Sequence, residues 1–312
     1  MIGDFTIQPY LMDHSAVDSY AFEITSDGKK VFYSGDFRGH GRKRILFDKF
    51  LEHPVRNVDL MLMEGTMLGR NDTSECRNED DLEERILSAL KNEKGLCFLI
   101  SSSQNIDRLV SAYRACKKAK RILVLDIYTA WILRLIRDNI RGGRTMDISW
   151  DDVMVLSKGG TAAGHYRIID KNRDYFKGFA QEIYRRGIVL EEADLKKEPG
   201  RYMLKTSYAA KLIDKLNLES ATVIYSMWGG YLTEKHNPQH FKDYEALRQK
   251  LGGKFMEIHC SGHGYLEDLR KMAKAVNPKT LVPIHTEHAK RYYECFDNVQ
   301  KVQDGEPLEI NR

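Results

Sequence analysis

Residues 258–288, IHCSGHGYLEDLRKMAKAVNPKTLVPIHTEH, decide how the chain is read. His263 lies in a Ser-Gly-His-Gly turn, and His285 closes the short apolar run 279–284. Between them Leu266, Leu269, Ala273 and Val276 recur at steps of three and four, the spacing of one helical face. Asn277-Pro278 ends that helix, because proline cannot continue it. The stretch therefore predicts a strand, a turn, a helix and a second strand. A parallel crossover of that kind brings both strand ends to one edge of a sheet. Loops at that edge are where α/β proteins hold ligands. His263 and His285 are expected to converge on one site.

Working outward, the 312 residues suffice for two domains or one large one, and 42% hydrophobic with 30% charged residues is an ordinary globular balance. A net charge of +4 and a pI near 8.6 are compatible with a polyanionic partner without requiring one. Five cysteines, an odd number with no CxxC, argue against a disulfide framework or a cysteine zinc site. No apolar run approaches the roughly 18 residues that span a bilayer. The start MIGDFTIQPY lacks a signal pattern, so the cytoplasm is the default expectation and no membrane partner is expected.

Upstream, strands are expected at 5–11, 20–25, 31–33 and 58–63. Polar chemistry sits at their ends: His14, Asp36 and Glu64. From about residue 71 a polar, acidic linker leads into alternating helices and strands, with apolar strands at 96–100, 122–125, 154–156 and 222–225. That alternation predicts a separate parallel α/β unit. Residues 165–200, rich in Lys, Arg and Glu, read as solvated surface and helix. The fold class is therefore α/β: residues 1–75 and 253–312 form one discontinuous domain, and residues 76–252 form an inserted parallel-sheet domain.

The strand-end groups His14, Asp36, Glu64, His263 and His285 are the donor types that Zn²⁺ or Mn²⁺ takes. Singly, a histidine beside serine is usually a cap or surface residue, and an aspartate after Ser-Gly is usually a turn former. The common pattern, each following an apolar strand and preceding small residues, points to a metal site. The basic loop 38–44 beside Asp36 reads equally as a polyanion contact or a solvated loop. Trp228-Gly229-Gly230-Tyr231 reads as a turn with two packed aromatics, with base stacking as the alternative.

Several strings together resemble one family. DHSAVDS and YSGDFR look like the third and fourth metal-binding motifs of metallo-β-lactamase-fold hydrolases. MLMEGTMLG resembles the first motif of the β-CASP branch, and IHCSGHG and LVPIHTEH resemble its two later histidine motifs. SSSQNIDR resembles a Ser/Asn-rich turn of the inserted β-CASP domain. Order and spacing are similar to ribonuclease J-like nucleases across nearly the whole chain.

The resemblance implies a metallo-β-lactamase αββα fold with a β-CASP-like insert and a two-zinc site, Mn²⁺ being the other candidate. His14, Asp36 and His285 would be metal ligands, with Asp36 bridging. Glu64 would orient a ligand histidine. His263 would stabilise the scissile phosphate or protonate the leaving oxygen. Ser102, Ser103, Asn105 and Arg108 would hold a phosphate at a helix N-terminus; the same serines read equally well as an N-cap cluster. The implied activity is zinc-dependent cleavage of phosphodiester bonds, with single-stranded RNA as the partner. The sequence departs from the family in having no HxHxDH string, and in Thr286 where glycine is common. From this we expect a fragment or mis-started reading frame lacking the first half of the sandwich, with an exposed apolar face where that half would pack. A homo-oligomer is a second way to cover such a face. The alternative function is a non-catalytic nucleic-acid- or partner-binding fragment.

Overall fold

The computed structural model describes residues 1–70, 76–140, 145–218 and 220–310. Its strands are β1 Thr6–Met12, β2 Ser19–Ser26, β3 Lys29–Tyr33, β4 Leu60–Glu64, β5 Leu96–Ile100, β6 Ile122–Leu125, β7 Val153–Leu156, β8 Val189–Leu190, β9 Tyr202–Lys205, β10 Ala221–Tyr225, β11 Phe255–Glu257 and β12 Thr280–Ile284. The chain divides into two compact units, Met1–Thr73 with Ser261–Arg312, and Ser74–Cys260. Part of the expected linker, residues 71–75, lies outside the described residues, and its last residues open the helix Glu79–Asn92 under an Asn78 cap.

The first unit holds a five-stranded sheet in the order β1-β2-β3-β4-β12. β1 and β2 pair antiparallel, as do β2 and β3, whereas β3, β4 and β12 run parallel. β1, β3, β4 and β12 therefore all end at one edge. One face of the sheet carries the core: Met12, Ala21, Phe32, Met61 and Leu281 pack with Phe47 and Phe50 of the helix Arg44–Glu52 and with Leu269, Met272 and Val276 of the helix Leu266–Val276. Strand side chains alternate between faces, so Leu11, Tyr20, Phe22 and Tyr33 lie on the other one. That face is open at β1–β3, with Leu11, Tyr20 and Tyr33 37–39% exposed and the Phe22 ring against both tyrosines.

The second unit is a seven-stranded sheet, β11-β10-β5-β9-β6-β7-β8, parallel throughout. Every residue of β5 and β10 is buried, as expected of strands covered on both faces. β8 falls in the charged region 165–200, where surface and helix were expected, and β9 follows just beyond it. β11 was expected in the discontinuous domain, but it pairs with β10 at the edge of this sheet, so the first unit resumes at Ser261 rather than at residue 253. Cys76, Cys97, Cys116 and Cys260 are buried thiols. Among the described residues no helix is long and apolar enough to cross a membrane.

Glu93, just after the helix Glu79–Asn92, ties this unit together at one end of β5 and β10. It accepts hydrogen bonds from Gly95 N–H (2.7 Å), Ser220 (2.9 Å) and Thr222 (2.8 Å), and pairs with Lys254 at 3.1 Å. Burial alone would raise its pKa, but these partners outweigh it and hold the carboxyl down to about 2, from an ordinary 4.5. A depressed carboxyl pKa contributes stability that is complete above the unfolded value and drains away as pH falls from 4.5 toward 2. Glu93→Gln is expected to cost about 1–2 kcal/mol at pH 7. The difference from the natural chain should vanish near pH 2 in urea melts, and an equal difference at both pH values would contradict this account.

Candidate metal centre

Four strand ends and one helix start build the site within the first unit. His14 follows β1, Asp36 follows β3, Glu64 ends β4 and His285 follows β12. His263 arrives by a route that differs from the expected crossover. The strand before it, β11, belongs to the other sheet, so no β-α-β unit carries His263. It instead stands just before the helix Leu266–Val276, whose far end feeds β12. A helix leading back into a parallel strand starts at the edge where the strands finish, so the convergence stands on a different cause.

The rings of His14 and His263 have centroids 5.3 Å apart, as do those of His263 and His285. His285 Nδ1 lies 3.0 Å from Asp36 Oδ1, and His263 Nδ1 lies 3.5 Å from Glu64 Oε1 and 4.0 Å from Asp36 Oδ1. Donor atoms of His14, Asp36 and His263 fall within 4.8 Å of one another, and so do those of Glu64, His263 and His285.

Local backbone explains how these side chains meet. Gly35 has φ +56°, and a Cβ there would fall 2.3 Å from the Tyr20 carbonyl oxygen, so only glycine permits the turn that presents Asp36. Ser19 Oγ donates to the Asp36 carbonyl. His285 also has positive φ, +49°, a conformation that costs a non-glycine residue on the order of 1–3 kcal/mol and clusters at functional sites. Thr66 bonds His285 twice, at Nδ1 (3.0 Å) and at the carbonyl oxygen (3.1 Å). Glu64, fully buried, accepts from Thr66 N–H (2.9 Å) and Gly264 N–H (3.2 Å), and its own N–H donates to Ser34 Oγ (3.0 Å).

The donor set suits a borderline divalent cation. The chemistry is imidazole and carboxylate. A buried ring nitrogen, His14 Nε2, has no hydrogen-bond partner, as expected of a group that awaits another ligand. Burial, with the neighbouring charges of His263, Arg38, Lys43 and His285 adding to it, pushes the His14 pKa down to about 3, so the ring stays neutral and able to ligate. Ligation through Nε2 puts the proton on Nδ1, which requires the 3.2 Å contact from Ala16 N–H to give way.

Ser102, Ser103, Asn105 and Arg108 belong to the second unit. Ser102 is exposed, its Oγ accepting from Gln104 N–H; Asn105 caps the helix Ile106–Lys118 through the Arg108 N–H. Ser103 is buried between Thr129 (2.8 Å) and Lys205 (2.6 Å), and Lys205 pairs with Asp126 at 2.9 Å. Arg108 is wholly buried, held by Glu79 (3.2 Å), the Ser226 carbonyl (2.7 Å) and the Cys260 carbonyl (3.1 Å). Ser103 and Arg108 have interior partners, and Asn105 serves as an N-cap. In the basic loop Arg38 is fully buried and Lys43 Nζ donates to the His14 carbonyl (2.7 Å), while Arg44 is exposed. Trp228 packs on Tyr231 and His236, with centroids 5.4 and 4.7 Å away. Thr66, Asp13 and Arg38, which organise the site, lie inside the strings MLMEGTMLG, DHSAVDS and YSGDFR, but no role in the site was expected of them.

Residues 254–295 match the family model described as RMMBL, Zn-dependent metallo-hydrolase RNA specificity domain; the match includes His263 and His285. The chain is 23% identical to ribonuclease J of Mycoplasma genitalium over 313 aligned positions, 91% of this chain and 46% of that protein. It thus spans about half the length of this curated relative. A crystal structure of a protein of unknown function from Enterococcus faecalis V583 superimposes with a TM-score of 0.68 at 20% identity, covering 97% of this chain and 63% of the other. The mixed α/β architecture and these matches are consistent with a metallo-β-lactamase-like fold. The sequence is similar to that ribonuclease J over most of its length, and residues 254–295 are similar to an RNA specificity domain of Zn-dependent metallo-hydrolases.

Proposed function

We propose that this chain carries the His14, Asp36, Glu64, His263 and His285 portion of a zinc-dependent phosphodiesterase that acts on single-stranded RNA. The observation that supports the reading is that these donors fall into two groups sharing His263, His14 with Asp36 and Glu64 with His285, each within 4.8 Å, at one sheet edge. His14, Asp36 and His285 would hold the metal, with zinc favoured over manganese by the two imidazoles. Bound zinc supplies Lewis-acid polarisation of a phosphoryl oxygen and acidifies water near neutral pH. The chain's own residues do the rest. His263 turns Nδ1 toward the Glu64 and Asp36 carboxylates, leaving Nε2 to pass a proton to the departing oxygen. Glu64 fixes that ring's loop through Gly264, and Thr66 fixes His285.

The chain has no HxHxDH string, and the second face of its sheet is open and apolar at β1–β3. A further β-layer packed over Leu11, Tyr20, Phe22 and Tyr33 would cover that face and supply the remaining donors of a two-metal site. The same facts favour a second reading, a non-catalytic module that binds nucleic acid or a partner. Zinc analysis of the purified chain, with hydrolysis of a labelled oligoribonucleotide, separates the two. Near-stoichiometric zinc and cleavage are expected. Asp36→Ala should lose zinc affinity by more than the roughly 10–100-fold that losing a supporting partner costs. Oligonucleotide binding without zinc or cleavage would establish the second reading.

A further inference from the structure

We infer that Arg38 is a positioning residue that sets the separation of the His14 and His263 loops. The sequence offers it as one more cation of a basic loop, yet its side chain is fully buried. A charge in such a place is costly unless it is well paired. Its Nη1 donates to the Ser261 carbonyl at 2.7 Å, and Ser261 Oγ in turn accepts the His263 N–H at 3.0 Å. Its backbone N–H donates to the Asp13 carbonyl at 2.8 Å, one residue before His14. Asp13, equally buried, accepts from Gly41 N–H (2.7 Å) and Lys43 N–H (3.2 Å). A Cβ on Gly41 would fall 2.4 Å from Asp13 Oδ1 and 2.5 Å from Arg38 Nε, so carboxylate and guanidinium crowd the same glycine. One residue thus grips the loop before His14 with its backbone and the loop before His263 with its side chain.

His40 braces the same carbonyl. Its Nε2 lies 2.9 Å from the Ser261 oxygen, its Nδ1 lies 3.4 Å from Asp268, and its ring stacks on Tyr265 at 4.6 Å. Arginine suits the post because its planar fork holds direction as well as charge, which the single ammonium of lysine does not.

The metal arm of the test rests on the proposed zinc site; the arm without metal does not. The full chain is compared with Arg38→Met, Arg38→Lys and Gly41→Ala. Arg121→Lys is the control, a buried arginine of the other unit that bonds the Gly95 and Tyr202 carbonyls. Imidazole ¹H–¹⁵N spectra are recorded without metal, and cobalt(II) serves as the metal probe through its visible absorption. Arg38→Met is expected to shift or broaden the His14 and His263 signals and to weaken cobalt binding about 10-fold or more, with Arg38→Lys restoring part of both. Arg121→Lys should lower the melting temperature and leave the imidazole signals in place. A folded Arg38→Met with natural His14 and His263 signals overturns the inference, as does an equal disturbance from Arg121→Lys. Should Arg38→Met fail to fold, Gly41→Ala is judged by the same criteria. Should the natural chain take up no cobalt, the zinc reading falls and the imidazole signals alone decide the role of Arg38.

Discussion

Glu64→Ala is expected to loosen two histidines at once. The natural carboxylate is wholly buried and takes the Thr66 N–H on one oxygen and the Gly264 N–H on the other. Alanine leaves both buried donors unmatched, at about 1–3 kcal/mol each, so a loss of roughly 2–6 kcal/mol in urea unfolding is the expected result. The backbone of Glu64 stays where it is, because its carbonyl still accepts from Tyr292 OH at 2.6 Å. What changes lies beyond it: Thr66 no longer holds a fixed angle on His285, and the Gly264 turn no longer presents His263. Zinc affinity should fall about 10–100-fold, the usual cost of removing a partner that orients a ligand. Glu64→Gln should lie between, since its amide keeps one acceptor and sets an NH₂ against the other N–H. Zinc titration and unfolding of both variants check this. An alanine variant with natural zinc affinity would mean that the two histidine loops are held by something other than this carboxylate.

The polar ends of the strands were legible in the sequence because each follows an apolar run that could only be a strand. His14, Asp36, Glu64 and His285 meet because β1, β3, β4 and β12 end at one edge. His263 was placed in the right company by the wrong connection. A three-residue strand such as β11 carries too little pattern to say which sheet it joins, so the crossover inferred from residues 258–288 assigned it to the wrong one. β9 was hidden for a related reason. It leaves a charged region and ends in Lys205, a lysine buried against Asp126 and Ser103. Arg38 and Arg108 posed the same difficulty: a cation near polar residues reads as surface until its partners are known. The partners of Arg108 lie 29 residues before it and 118 and 152 residues after it. No periodicity joins such positions; only the fold does.

That burial makes Arg108→Met the substitution with the largest expected effect in the second unit. The guanidinium and the Glu79 carboxylate are 0% and 1% exposed. Glu79 also accepts from Ser111 Oγ (2.7 Å) and faces Cys260 Sγ (3.3 Å), so it stays inside when the arginine is gone. Removing one member of a buried pair strands the other charge, which typically costs about 3–5 kcal/mol. In a unit of this size that corresponds to a fall of roughly 6–20 °C in melting temperature. The double variant Glu79→Gln with Arg108→Met should recover part of the loss, since no bare charge is left behind, and that recovery is the mark of a coupled pair. A phosphate-holding arginine would behave otherwise. Arg108→Met would then melt like the natural chain while its affinity for a labelled oligoribonucleotide fell. Melting curves and fluorescence anisotropy on the same samples decide between an arginine that holds the inserted unit together and one that holds the substrate.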